Sequence, residues 1–524
     1  MPPGDRHGRL PLILMYRGNV AVTFEGQHQT YAELGDRASR LGNALADLGL
    51  APGDRVAVLG DNNLEFIEQA VGIALAGMVR CPMYTQNVAS THAYMLNTVG
   101  ARAIIVQDKY AADIESVRDQ VPTLEHVIVM GGSGGPGQLL YEGMLAAGSP
   151  EFPHVTVPPD ADHIIRLSAG TTGKPKGIVF SQAGWMAMGF ENDLAYARFD
   201  ESDAYLVAAP MSHASGLMIW PILAAGARYV IMSSFDPERF LQTIETERCT
   251  ATLIVPTMIQ MLASVPDAKS YDLSSMRLVT YGASPITEKV LRAGLDLWGN
   301  IMYQLFGQSE VLGGCVLTPA YHLTGHSERE RRILGSAGRP APSTILTIRD
   351  DDDNVLPIGQ TGEICLHSPA SMKGIWGDPE ATAARFTPDG AVRTKDMGYL
   401  DEEGFLHLVD RKEDMIISGG FNVWPLEVEN ALAAHPGVHE AIVVGVPDEK
   451  WGEAVFAVVV LNEGATATEA ELIAFARDKV GPVKRPKQLV ISQQPLPKSP
   501  VGKPLRRQAR EMYWIAPDQP AENA

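Results

Sequence analysis

The chain has few cysteines, four in 524 residues. Cys81, Cys249, Cys315 and Cys365 lie far apart and form no CxxC or Cys/His spacing. This excludes a disulfide framework and a structural zinc, and it fits a reducing compartment. Long apolar runs are also missing. RLPLILMYRG near the start is too short for a signal-peptide core, and nothing approaches the ~18 apolar residues of a membrane span. The final ENA matches no lipidation or peroxisomal signal. The expectation is a cytoplasmic chain with no integral membrane association, and a homodimer is left as an open option. Positive charge is scarce too: 43 Lys and Arg stand against 62 Asp and Glu, a formal net charge of −19. Nucleic acid is a poor partner for such a surface, whereas small anions need only a local basic site.

What is present begins with a 45% hydrophobic composition, enough at this length for two to four domains. From 55 to 130, short apolar runs (RVAVLG, RAIIVQ, HVIVM) alternate with amphipathic stretches, the pattern of a doubly wound α/β unit. A second series (AYLVAAP, ARYVIM, TATLIVP, MRLVTYG) follows the Pro-rich segment at 149–163. From about 343 the texture changes to short strands with turn residues, the acidic run DDDDN marking a hairpin. Beyond VDRKED at 409–414 a compact α+β pattern runs on for roughly 110 residues, about the size of a domain. The predicted fold is α/β. A large N-terminal domain, 1–411, has two doubly wound subdomains and a β-barrel-like one; a small mobile α+β domain, 412–524, follows.

Two phosphate-binding patterns are set aside. The Walker loop needs GxxxxGK[ST] between a strand and a helix. In SAGTTGKPKG, at 168–177, Lys174 is followed by Pro175, Ser168 stands where the leading glycine belongs, and both flanks (HIIRLS and GIVFS) read as strands. The GxGxxG of Gly132, Gly134 and Gly137 contains Pro136 and lacks a persuasive βαβ with its acidic residue, so it reads as a surface loop.

The loop LSAGTTGKPKG resembles the signature of the adenylate-forming superfamily, which includes acyl-CoA synthetases, peptide-synthetase adenylation domains and firefly-type luciferases. Further matches follow in order: APMSHASG at 209–216, YGASP at 281–285, LFGQSE at 305–310, the stretch RTKDMGYLDEEGFLHLVDRKEDMIISGGFN, and LPKSPVGKPLRR at 496–507. The resemblance covers about residues 25–510. It implies that a carboxylate attacks the α-phosphate of ATP, giving acyl-AMP and pyrophosphate, and that a thiol then takes the acyl group. Two anions must meet, so positioning and charge neutralisation dominate the catalysis.

The resemblance also implies residue roles. Ser168, Thr171, Thr172 and Lys176 cradle the β/γ-phosphates. Gly282, Ala283, Phe306 and Ser309 border the adenine. Asp396 and Arg411 hold the ribose. Glu310, with Thr171, binds Mg²⁺, a hard cation suited to a carboxylate plus phosphate oxygens. His213 stands at the mouth of the acyl pocket, and Lys503 is the catalytic lysine of the first half-reaction. Glu413 is the hinge about which the C-terminal domain turns, after which Gly419 and Gly420 line a pantetheine tunnel. Five departures from the family pattern stand out: Ala169 for a hydroxyl residue, Ser212 for an aromatic, Ser309 for threonine, Lys395 for the glycine of TGD, and Glu413 for aspartate or lysine.

The acceptor implied is coenzyme A, because DEKWGEAVFAVVV and VKRPK resemble aryl and fatty acyl-CoA ligases. Trp451, Lys484, Arg485 and Lys487 would meet the CoA nucleotide. PMSHASG lacks the aspartate that binds an amino-acid ammonium, and Trp185, Met186, Met188, Phe190, Met218 and Trp220 supply apolar pocket candidates. The implied substrate is an apolar monocarboxylate, fatty or aromatic. The alternative acceptor is the thiol of a separate carrier protein.

Overall fold

The structure, a computed structural model, describes residues 15–168, 175–195, 198–284, 286–322, 327–498 and 504–514. Two large sheets build the N-terminal domain. The first has eight strands in the order Gly374–Ile375, Lys176–Ser181, Asp162–Ser168, Val79–Pro82, Arg55–Leu59, Ala103–Gln107, His126–Met130 and Leu139–Leu140. Strands such as AIIVQ at 103–107 are buried on both faces, which is why they read as continuous apolar runs.

The second sheet has nine strands and contains Ala204–Val207, Arg228–Ile231, Ala251–Ile254, Leu278–Gly282 and Met302–Phe306 in its parallel portion. Its helices start where the sequence supplies caps. Asp236 accepts from the Arg239 N–H with Pro237 in the first turn, and Thr287 accepts from the Val290 N–H.

The two sheets are not consecutive in the chain, as the break at 149–163 implied. The N-terminal hairpin, Val20–Phe24 with Gln27–Thr30, crosses to the second sheet, where Val22 pairs in parallel with Tyr229. Conversely, the two strands flanking the glycine-rich loop belong to the first sheet. Ala21 and Val22 are buried in the same cluster as Tyr205 and Tyr229, a long-range contact that local periodicity does not encode.

The β-barrel-like subdomain is a four-stranded antiparallel sheet of Ile345–Arg349, Gly362–His367, Val392–Leu400 and Leu406–Arg411. The acidic run turns its hairpin, with Asp350 Oδ1 accepting from the N–H groups of Asp352 and Asn354 and Asp353 at φ +68°. The small C-terminal domain packs helices Pro425–Ala433 and Glu469–Lys484 on one side of a sheet built around Val438–Asp448 and Gly452–Leu461. It has its own core of Val428, Leu432, Val443, Val455 and Leu472. Among the described residues no helix is long and apolar enough to cross a membrane, and all four cysteines are buried and free.

Candidate active site

The glycine-rich loop joins strand to strand. Asp162–Ser168 and Lys176–Ser181 are antiparallel, with Ser168 opposite Lys176, so the loop is flanked by strands on both sides, unlike a Walker loop. Lys176 opens the second strand. Thr171 and Thr172 lie outside the described residues, as does the side chain of Ser168.

Beside it, Gly282 closes the strand Leu278–Gly282. A Cβ there would come within 2.3 Å of the Leu305 carbonyl oxygen, so only glycine allows the neighbouring strand so close. Ala283 follows, exposed and at φ +68°, a left-handed conformation that a non-glycine residue adopts at a cost. Phe306 ends the next strand half-buried against the cluster of Cys315, Ile364 and Leu366, and Ser309 lies three residues on, also half-buried.

Asp396 and Arg411 face each other across the strands Val392–Leu400 and Leu406–Arg411, with Arg411 Nε 2.9 Å from Asp396 Oδ1. The Gln308 amide joins them, donating to the Asp396 carboxylate and to the Thr394 carbonyl at 2.7 Å. Gln308 is the fourth residue of LFGQSE, and no motif singles it out.

Glu310 lies in the turn beyond the strand that ends at Phe306, where its carbonyl accepts from the Met372 N–H at 2.8 Å and its carboxylate pairs with Arg385. Arg385, also missed by the sequence reading, is held by a second bond from Nη1 to the Arg393 carbonyl at 2.9 Å. Among the described residues no group of three or more His, Cys, Asp or Glu could hold a metal. A single carboxylate such as Glu310 is compatible with Mg²⁺, which keeps waters and takes most of its oxygens from substrate.

His213 precedes the short helical turn Ala214–Met218. Its ring stacks on Tyr84 with centroids 3.9 Å apart, and Ser212 Oγ lies 3.1 Å from its Nδ1. Of the pocket candidates, Trp185 and Met188 are core residues packed with Ile164 and Phe180, while Phe190 is 70% exposed and faces solvent. The Trp220 indole donates to His163 Nε2 at 3.2 Å.

These elements occur in known proteins in the same order. The family model described as AMP-binding enzyme matches residues 14–376, and the AMP-binding enzyme C-terminal domain matches 427–503. The chain belongs to the AMP-binding enzyme family. It is 34% identical over 513 residues to a medium/long-chain-fatty-acid–CoA ligase, FadD8, of Mycobacterium tuberculosis, covering 95% of this chain and 88% of that one. It is 33% identical over 500 residues to ScoC of Streptomyces coeruleorubidus, named a fatty acid–[acyl-carrier-protein] ligase, covering 94% and 93%. The solved structure of the amide bond synthetase McbA from Marinactinospora thermotolerans matches with a TM-score of 0.87 at 30% identity, covering 96% of this chain and 99% of that one.

On the C-terminal domain of this family member, Gly419 sits at φ +60°. Its N–H donates to the Trp451 carbonyl at 2.7 Å, and a Cβ would meet the Trp451 ring at 2.6 Å. Gly420, at φ +80°, has open space where a Cβ would be. Lys487 and Lys450 stand over the same indole, 5.1 and 4.9 Å from a ring centroid. Burial first, then the neighbouring Arg485 charge, lowers the Lys487 pKa. Trp451, Lys487 and the glycine loop therefore form one assembly.

Lys484 departs from the expected patch. Its ammonium is bonded to both oxygens of Glu427, at 2.7 and 2.8 Å, so its charge is already balanced by the adjacent helix. Arg485 donates to the Pro486 carbonyl at 3.2 Å.

Two of the family departures meet. Lys395, in the glycine position, has φ +61°, and its ammonium pairs with Glu413. A left-handed lysine costs about 1–2 kcal/mol, and an ion pair this exposed returns at most about 1 kcal/mol. Lys395→Gly is accordingly expected to leave the denaturation midpoint nearly unchanged or slightly raised while releasing Glu413. The ratio of the acid-activating to the thiol-acylating rate should shift toward the second, and an unchanged ratio in separate assays of the two steps would count against a coupling through this pair.

Lys503 lies outside the described residues, but its flanks are tied together. Lys498 bridges Pro504, and the Leu505 N–H donates to the Pro497 carbonyl at 2.9 Å.

Proposed function

We propose that the protein is an ATP- and Mg²⁺-dependent acyl-CoA ligase acting on a fatty or aromatic carboxylic acid. The observation that carries the reading is the cluster of Asp396, Arg411 and Gln308 two residues from Glu310, at the place the family uses for ribose and metal. Asp396 is acceptor-only and suits both ribose hydroxyls, while Arg411 donates beside it. The glycine-rich hairpin, through Ser168, Thr171, Thr172 and Lys176, holds the β/γ-phosphates. Gly282, Ala283, Phe306 and Ser309 flank the base. Glu310 and Thr171 would hold Mg²⁺, whose charge would offset that of the phosphates, with Arg385 beside the Glu310 carboxylate.

In the first half-reaction a carboxylate oxygen bonds to the α-phosphorus as pyrophosphate leaves. Lys503 steadies the approaching anions, and His213 on its Tyr84 stack orders the pocket mouth. Domains 1–411 and 412–524 then turn about Glu413, so that the thiol enters where the lysine stood and displaces AMP from the acyl carbon. Gly419, Gly420, Trp451, Arg485 and Lys487 receive the CoA. Lys484, paired to Glu427, contributes less charge.

The test is product analysis by mass after incubation with ATP, Mg²⁺ and a panel of aliphatic and aromatic acids, with and without CoA. Acyl-CoA is expected. Acyl-AMP that persists in the presence of CoA would move the acceptor to a carrier-protein thiol, the reaction for which ScoC is named. Gly420→Leu is expected to slow the thioester step by roughly 10²-fold or more through misplacement of the thiol, sparing pyrophosphate release in the first turnover. Unchanged CoA turnover would remove the tunnel assignment.

A further inference from the structure

Two arginines stand inside the N-terminal domain, each with a buried Nη1 that has no hydrogen-bond partner among the described residues. Arg80, in the strand Val79–Pro82, is 7% exposed, and its Nη1 is buried without a hydrogen-bond partner. Arg166, in the strand Asp162–Ser168, likewise has a buried, unpartnered Nη1. Arg80 pairs with Ile164 in the parallel register, so Arg80, Ile164 and Arg166 share one face of the sheet. Their neighbours across the sheet are apolar, with the buried His163 ring 5.9 Å from that of Trp185. Ile164 lies opposite Phe180 and Arg166 opposite Ile178, and all three apolar residues pack with Trp185 and Met188.

The Arg80 guanidinium stands 5.3 Å from the centre of the Phe66 ring, a soft contact that does not replace a counter-ion. Its charged neighbour is Arg166, and burial, then that charge, lowers the Arg80 pKa to about 10. From the facing sheet comes Tyr229, whose hydroxyl is also buried and unpartnered. Arg166 feels Tyr84 and Glu310, but the Glu310 carboxylate is engaged by Arg385. A fold that buries two adjacent guanidiniums on one sheet and a phenol on the facing one, each with a buried donor that has no partner among the described residues, bears a heavy cost unless an anion completes the set.

We propose that Arg80, Arg166 and Tyr229 bind the second anionic group of the acid substrate, so that the preferred substrate is a dicarboxylate with an apolar body. This rests on the ligase reading. The carboxylate to be activated belongs at the strand ends, beside the glycine-rich loop and the Tyr84–His213 stack. Arg80 lies within the strand Val79–Pro82 and Tyr84 two residues past its end, at most roughly 13 Å of extended chain apart, so Arg80 sits deeper in the sheet than the Tyr84–His213 stack. A carboxylate gripped by two guanidiniums is also a poor nucleophile, which suits the group that does not react.

The experiment measures pyrophosphate release by the full chain with ATP and Mg²⁺ for matched acids: adipate against hexanoate, sebacate against decanoate, and terephthalate against benzoate. At least one pair is expected to favour the diacid by roughly 10²-fold or more in kcat/KM, because a monoacid leaves the buried donors unmet. In Arg80→Met and Arg166→Met the preference should invert, and Tyr229→Phe, which keeps shape and charge, should raise KM for the diacid with little change in kcat. Equal turnover of every pair, preference for the monoacid by the unaltered protein, or a preference unchanged in the variants overturns the proposal. If no acid releases pyrophosphate, the ligase reading fails on its own. Thermal unfolding then decides the site: a diacid that raises the midpoint of the unaltered protein and not of Tyr229→Phe supports it, and no shift, or an equal shift with inorganic phosphate, overturns it.

Discussion

Lys503→Ala lowers the rate of acyl-AMP formation by roughly 10²–10³-fold, the scale set by removing one preorganised charge from a developing anionic transition state. The same variant, given synthetic acyl-AMP and CoA, forms the thioester at close to the unaltered rate. The asymmetry follows from the proposed turn about Glu413, in which the lysine occupies the site only while carboxylate and α-phosphate approach. Pyrophosphate release and thioester formation are measured separately in single-turnover assays. An equal loss in both would show that Lys503 supports the fold or both steps, and the assigned role would fall.

Arg506→Met is the larger structural change. The Arg506 side chain, three residues beyond Lys503, is 16% exposed and reaches three carboxylates: Asp410 at 3.1 Å, Asp414 at 2.7 Å and Glu429 at 2.9 Å. Asp410 and Asp414 straddle Glu413, so one guanidinium ties the helix Arg506–Tyr513 to both sides of the proposed hinge. Burial opposes its charge, yet the carboxylates hold its pKa above the ordinary value. Removing the cation leaves Glu429 and Asp410 buried and unpaired, which costs about 3–5 kcal/mol. Acyl-AMP formation is expected to fall with it, since the helix that follows Lys503 loses its ties to the proposed hinge.

The pH dependence has a definite sign. Burial already raises the pKa of both Glu429 and Asp410 in the folded protein, and losing Arg506 raises them further. A carboxylate whose folded pKa exceeds its unfolded one destabilises at pH above that folded value, and the penalty shrinks as pH falls through it. The stability gap between Arg506→Met and the unaltered protein should therefore be wider at neutral pH than in mild acid, as read from urea midpoints. A gap independent of pH would mean that lost packing, rather than stranded carboxylates, is responsible.

Much of the fold was legible because the signals are local. RVAVLG, RAIIVQ and HVIVM became parallel strands, and the residues flanking the glycine-rich loop became the antiparallel pair that excludes a Walker helix. The cross-strand pairing of Asp396 with Arg411 agrees with two neighbouring motifs of one hairpin. What was not legible depends on partners far apart in the chain. Lys395 and Glu413 each read as an isolated oddity until the structure paired them. Lys484 looked like an available cation, yet Glu427, on another helix, balances it. Glu310 is implied as an Mg²⁺ ligand by its motif, but its ion pair with Arg385, 75 residues on, has no local signal. Arg80 and Arg166 carried no signal at all, because an arginine inside an apolar strand stands out only when its neighbours across the sheet are known.

The most direct test of the two-step account follows heavy oxygen from a labelled carboxylate. With ATP, Mg²⁺, CoA and an acid carrying the label in both carboxylate oxygens, the account predicts AMP bearing one heavy oxygen and a thioester retaining the other, with unlabelled pyrophosphate. Label in inorganic phosphate, or ADP as the nucleotide product, would contradict attack at the α-phosphorus and with it the assignment of the glycine-rich loop.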